Sequence, residues 1–154
     1  METAIVIYII GLALAIEGVL MAVPALCALV YGESLMPFLW TAIICFLIAL
    51  AFTRKRPDSG FLFSREGYVA TALTWIALAF TGMLPFLFSG STTSLADAVF
   101  ETVSGYTTTG SSIFPAVEEL PKSILMWRSF MHWIGGMGIL VFMLAIVPFS
   151  GGTQ

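Results

Sequence analysis

The sequence predicts an all-α integral membrane protein. An N-terminal hairpin of two spans is followed by two more spans that bracket a short re-entrant helix and loop. Three observations lead there. Residues are 59% hydrophobic and 10% charged, with a mean hydropathy of +1.01, whereas soluble domains carry about 25% charged residues. Apolar stretches near the roughly 20 residues needed to cross a bilayer occur at 4–30, 36–52, 68–88 and 124–148. The connection 89–123 carries a short apolar segment and a dense run of hydroxyls.

The first span holds Glu17 midway. A carboxylate there is costly and faces a bundle interior or water, so it either contacts a neighbouring helix or couples a proton. Met1-Glu2-Thr3 lacks the basic residues of a cleaved signal, so this span is expected to be retained. Cys27 and Cys45 sit inside apolar runs, as small buried hydrophobes rather than a disulfide or metal pair. Arg54, Lys55, Arg56 and Arg65 collect between spans two and three. Positive charge favours the cytoplasmic side, which puts that loop and both termini inside, and 31–35 and 89–123 outside. No basic stripe suits nucleic acid, and the net charge is −3.

Within the outer connection, Ser94-Leu95-Ala96-Asp97 matches a capping box. Ala96, Val99, Phe100 and Val103 then recur at helical spacing. This helix is too short to cross, and it is expected to stop near Ser104-Gly105, since glycine favours helix ends. The strand "TTTGSS" follows, and Pro115, Glu118, Glu119 and Pro121 mark an exposed exit. Irregular backbone at membrane depth survives only where it lines a cavity or is buried in protein. A dehydrated monovalent cation needs oxygen ligands, which successive carbonyls supply. Glycine permits the left-handed conformations such a strand requires. Thr107, Thr108, Thr109, Gly110, Ser111 and Ser112 fit that pattern, and they also fit a solvated linker. Glu101 either adds negative potential near an ion path or pairs with Arg128.

Arg128 opens the fourth span, where it either snorkels to the interface or holds the loop. His132 follows one turn later, as a packing and hydrogen-bonding residue or a titrating one. Gly135, Gly136 and Gly138 form a small-residue patch that lets another helix, here the short one, approach closely. No HExxH, CxxC or Walker sequence occurs, and His132 is the sole histidine, which argues against an intramembrane enzyme.

"DAVFETVSGYTTTGSSIF" resembles the first filter segment of the Trk/Ktr/HKT superfamily of potassium transporters. "MWRSFMHWIGGMGILVFMLAIVP" resembles the helix after that filter, and "REGYVATALTWIALAFTGMLPFLFSG" the helix before it. "IEGVLMAVPALCALVYGES" is similar to the N-terminal hairpin of the bacterial TrkH/TrkG branch. The resemblance implies a potassium-channel-like helix–pore loop–helix unit used four times per subunit. This sequence carries it once, with a hairpin at 1–53, a basic cytoplasmic loop at 54–66, the unit at 67–148 and the start of a cytoplasmic turn at 149–154.

By resemblance, the backbone carbonyls of Thr107, Thr108, Thr109, Gly110 and Ser111 coordinate K⁺, centred on Thr108, Thr109 and Gly110. Glu101 and Arg128 support the filter, and Gly135, Gly136 and Gly138 pack the helices. In plant members, serine at the glycine position goes with sodium preference, so Gly110 points to K⁺. The resemblance further implies potassium uptake across the cytoplasmic membrane and no cofactor besides the transported ion. The implied partners are lipid, the remaining pore repeats of a longer chain, a second full-length subunit and a cytoplasmic nucleotide-binding regulator. Four assembled copies of this chain, or a non-conducting assembly protein, are the alternatives.

Overall fold

The structure is a computed structural model that describes residues 3–54 and 64–150, and the side chains of 3–54 and 67–138. Every regular element among the described residues is helical. They are α1 (Thr3–Leu20), α2 (Ala22–Tyr31), α3 (Met36–Thr53), α4 (Ser64–Gly82), α5 (Leu84–Phe88), α6 (Leu95–Tyr106) and α7 (Lys122–Ser150), with a 3-10 turn at Val117–Glu119. Three stretches are long and apolar enough to cross a membrane: Thr3–Tyr31, Met36–Thr53 and Gly67–Phe88. They correspond to the first three predicted spans, and α7 is helical throughout the fourth. Large apolar side chains remain exposed along them, such as Leu47, Leu50, Ile76 and Phe80, the surface a lipid-facing bundle presents. Lys55 and Arg56 of the basic loop, and residues 151–154, lie outside the described residues.

Proline explains both interruptions. Pro24 has no N–H to continue the ladder, and the first span breaks at Met21, just before α2. Pro85 does the same between α4 and α5, where the Phe86 N–H bonds Met83 O instead of Gly82 O. The freed Gly82 carbonyl is not left orphaned, because Trp127 Nε1 of α7 donates to it at 3.0 Å. An indole buried with its N–H satisfied thus ties the break to the last helix.

Membrane helices gain little from hydrophobic exclusion and associate by close packing. Accordingly α1 lies on α3 at Gly11, where an added Cβ would stand 2.8 Å from Phe52 Cβ. α1 also packs on α4, α2 on α7, and α6 on α7. One core joins Ile5, Ile10 and Leu14 to Ala49 and Ala70. The larger gathers Met21, Phe38, Phe86, Tyr106, Trp127 and Met131.

The first N–H groups of α7 are capped from far away in sequence. α2 ends in a Schellman turn: Gly32 has φ 69°, Glu33 N–H bonds Ala28 O at 2.8 Å, and Gly32 N–H bonds Leu29 O. The turn delivers Glu33 to the start of α7, where its carboxylate accepts from Lys122 N at 2.6 Å and Ser123 N at 2.8 Å. Negative charge at a helix N-terminus also meets the positive end of the macrodipole. Partial desolvation raises the Glu33 carboxyl. The bonds from Ser123 and Lys122, with the Lys122 ammonium, outweigh it and hold the group below the ordinary glutamate range.

Glu33→Gln is expected to cost about 1 kcal/mol of stability, read as a lower melting midpoint of the purified protein in detergent. Because the folded-state value is depressed, the Glu33 contribution is present above the unfolded value of about 4.3. It is lost as pH falls through the folded one. Melts from neutral pH to pH about 3 should show that loss in the wild type and a shallower slope in Glu33→Gln.

Candidate ion-coordinating strand

α6 has 12 residues, about 18 Å of helix, well short of a hydrocarbon core of about 30 Å. Ser94 caps it, its Oγ accepting from Asp97 N at 3.4 Å, as the sequence predicts. Its buried face is Ala98, Glu101, Thr102, Ser104, Gly105 and Tyr106. The apolar stripe faces elsewhere, with Leu95 59%, Phe100 50% and Val103 41% exposed.

The helix ends one residue past the expected Ser104-Gly105. It continues to Tyr106, and Gly105 serves as a contact point rather than a terminator. A Cβ there would lie 3.1 Å from Met131 Cε and 3.2 Å from Met131 Cβ, so α7 packs tightly against the bare backbone. Termination falls to Thr108, whose φ of 58° is left-handed. Thr108 N–H bonds Gly105 O at 3.0 Å and Thr109 N–H bonds Ser104 O at 3.0 Å, a second Schellman turn. A β-branched residue at that position costs roughly 1–2 kcal/mol. The adjoining hydroxyls bond locally, Thr108 Oγ1 donating to Thr107 O at 2.7 Å and the Thr107 and Thr109 hydroxyls pairing at 2.8 Å.

The return strand is tied back by Glu101. Its carboxylate is fully buried and accepts from Ser112 Oγ (3.0 Å), Ile113 N (3.1 Å) and Arg128 Nε. Arg128 also donates from Nη2 to Gly110 O at 3.3 Å. The structure therefore brings Glu101, Arg128 and Gly110 together, with Arg128 bridging α6 and the strand. The pair shields itself, with 17% of the Arg128 side chain and none of the Glu101 side chain exposed. Removing one partner of such a pair costs roughly 3–5 kcal/mol.

The predicted coordinating carbonyls now divide. Ser111 O accepts from Ser104 Oγ at 2.6 Å, Gly110 O from Arg128, and Thr107 O from Thr108. Thr108 O and Thr109 O have no donor among the described residues, and both residues are exposed. Gly110 has φ 79°, and a Cβ there would meet only His132 Nε2, at 3.9 Å. His132 Nδ1 lies 2.8 Å from Arg128 O within α7.

The glycine patch does not act as one surface. A Cβ on Gly135 would fall 2.0 Å from Tyr106 O, so the end of α6 sits directly on α7 there. Gly136 has only Thr108 Cγ2, at 3.8 Å. Gly138 faces Trp75 of α4, whose ring atoms would be 3.0 and 3.1 Å away.

Glu17, placed by the sequence in a hairpin apart from this loop, reaches it. Oε1 accepts from Tyr106 Oη at 2.7 Å and Oε2 from Thr81 Oγ1, with Cys45 Sγ 3.8 Å away. Tyr106 was not flagged by sequence reasoning, and the tie of Ser104 to Ser111 O and of Ser112 to Glu101 was not foreseen. For Tyr106 a signal existed: a tyrosine at membrane depth needs a partner for its hydroxyl, and Glu17 needs donors.

The TrkH family model, described as a cation transport protein, matches residues 33–153. The chain is 40% identical over 154 residues to the Trk system potassium uptake protein TrkH of Vibrio parahaemolyticus, covering 98% of this chain and 32% of that one. It is 38% identical over 146 residues to the Trk system potassium uptake protein TrkH of Escherichia coli K12, covering 93% and 30%. An uncharacterized cation transporter of Methanocaldococcus jannaschii is 38% identical over 151 residues, covering 95% and 31%. The chain thus spans about a third of the length of the curated relatives it matches.

Gly135→Ala is expected to unseat α6 from α7. Folded protein in detergent should fall sharply, the midpoint dropping by the roughly 1–3 kcal/mol typical of overpacking or more. Gly136→Ala, whose Cβ would make only an ordinary contact with Thr108 Cγ2, should melt within about 0.5 kcal/mol of wild type. Equal melting of the two variants would overturn the seating.

Proposed function

Because the chain belongs to the TrkH family of cation transport proteins, we propose that it forms one wall of a potassium-conducting pore, in which carbonyls of the 107–111 strand replace water around K⁺. The family is one of transporters and not of enzymes. The chain itself is a multi-pass membrane protein by its apolar helices.

One observation carries the proposal. A half-length helix ends in a left-handed turn, and the next two carbonyls, Thr108 O and Thr109 O, belong to exposed residues and have no internal donor among the described residues. Unsatisfied carbonyls at membrane depth cost several kcal/mol, unless an ion or water takes them. Both follow the C-terminal end of α6, where the macrodipole contributes about half a negative charge. Arg128 would repel a cation on its own, but Glu101 neutralises it. Gly110 O and Thr107 O each keep a second lone pair for an ion.

In this reading 1–53 is a supporting hairpin, 54–66 an inner basic loop, and 67–148 a single pore unit. One unit is one wall. The other walls would come from further repeats in a longer chain, in keeping with the greater length of the relatives. Both termini are placed on the cytoplasmic side. A second full-length subunit and a cytoplasmic nucleotide-binding regulator complete the proposed system.

Gly110→Asp tests the filter. A Cβ there would make no close contact, its nearest neighbour being His132 Nε2 at 3.9 Å, so the substitution carries a backbone penalty of about 1–2 kcal/mol and should leave the protein in the membrane. Rb⁺ uptake by the complete transporter, in cells lacking other potassium uptake, should be abolished. Wild-type uptake by Gly110→Asp would overturn the proposal.

A further inference from the structure

The filter reading does not use Glu17, a buried carboxylate that faces three separate helices. It is 2% exposed, near the end of α1. Donors from α6, α4 and α3 converge on it: Tyr106 Oη, Thr81 Oγ1 and Cys45 Sγ. Among the described residues it forms no ion pair, so hydrogen bonds alone hold it.

The partners are unequal. Thr81 Oγ1 has a second acceptor in Ala77 O at 3.0 Å. Tyr106 Oη has Glu17 alone among the described residues. Tyr106 is also the last residue of α6, immediately before the hydroxyl strand. Its main-chain carbonyl sits on Gly135, and its ring meets Trp75 edge-on at 6.0 Å. The residue is pinned at both ends, by α7 at the backbone and by α1 at the hydroxyl.

Resting on the filter reading, we propose that Glu17 is a positioning residue for ion selection. By gripping the Tyr106 hydroxyl, it fixes the helix end from which Thr108 and Thr109 project their carbonyls, and so the distance at which those oxygens meet an ion. Its role is to accept hydrogen bonds, not to supply charge. Glutamine can do the same. Its amide oxygen accepts from Tyr106, its N–H donates to Thr81 Oγ1, and Thr81 turns its own proton to Ala77 O.

The test uses the complete transporter in cells lacking other potassium uptake. KM for Rb⁺ and the Rb⁺/Na⁺ uptake ratio are normalised to protein in the membrane. Tyr106→Phe removes a single oxygen and is the mildest break; Glu17→Met removes the acceptor. Each should raise KM or lower the ratio about fivefold, the effect of one lost hydrogen bond. The double variant should be no worse than the more affected single, because both cut one link. Glu17→Gln should stay near wild type. Wild-type KM and ratio in Tyr106→Phe would overturn the proposal, as would loss of selectivity in Glu17→Gln with Tyr106→Phe unaffected. Gly110→Asp runs alongside. If it transports normally, the filter reading itself fails. If it is dead while Tyr106→Phe is normal, only the role of Glu17 falls.

Discussion

The contact between Tyr106 and Gly135 organises the functional half of the molecule. The Tyr106 carbonyl occupies the place where any other residue at 135 would carry its Cβ. That approach sets the distance between α6 and α7. It brings Arg128, on the same helix, within reach of both Glu101 and Gly110. It also leaves the tyrosine ring to extend past Gly82, where an added Cβ would lie 2.9 Å from the ring, toward Thr81 and Glu17. A larger residue at 135 or at 82 would push α6 outward and separate these polar pairs together.

Much of the remaining structure answers one electrostatic demand. Polar groups removed from water must find partners, and here they find them across long sequence distances. Glu33 caps a helix that begins at Lys122. Trp127 takes the Gly82 carbonyl that the Phe86 N–H leaves at the break around Pro85. Glu101 gathers two donors from the returning strand and one from Arg128. Each of these joins an irregular point of backbone to a neighbouring helix, so the breaks in helicity double as attachment points between helices.

The sequence makes local and periodic features legible and leaves long-range ones obscure. Hydropathy locates the spans, and Ser94 announces the start of α6 because a cap is a contact within four residues. The end of α6 is legible to within a residue of Gly105, but the role of that glycine is not, because glycine signals both helix termination and close approach, and only the position of Met131 decides between them. The run Gly135, Gly136 and Gly138 reads as one patch, while helical geometry points its members at the end of α6, at the Thr108 methyl and at α4. Glu17 is legible as a costly carboxylate in need of donors. That its donor is Tyr106 depends on how α1, α4 and α6 meet, and no spacing encodes it. The coordinating strand is suggested by its hydroxyls and glycine and assigned by resemblance to a family. Which of its carbonyls are engaged depends on the partners, Ser104 and Arg128, that fold against it.

Support for the strand is one-sided, and that asymmetry has mechanical sense. Behind it, the buried face of α6 is braced by α7, α4 and α1, and its polar groups are satisfied. In front, Thr108 O and Thr109 O are open, and the stripe of Leu95, Phe100 and Val103 stays exposed. In the proposed pore, a wall holding oxygens at fixed distances from a small ion would gain from being rigid behind and unobstructed in front, because any internal donor on the open side would compete with the ion for the same lone pairs. The left-handed Thr108 fits the same logic. Glycine would adopt that turn without penalty but would leave the strand freer to move, whereas threonine accepts about 1–2 kcal/mol of strain. In return it offers a methyl group that rests 3.8 Å from the Cβ position of Gly136 and a hydroxyl that bonds the preceding carbonyl.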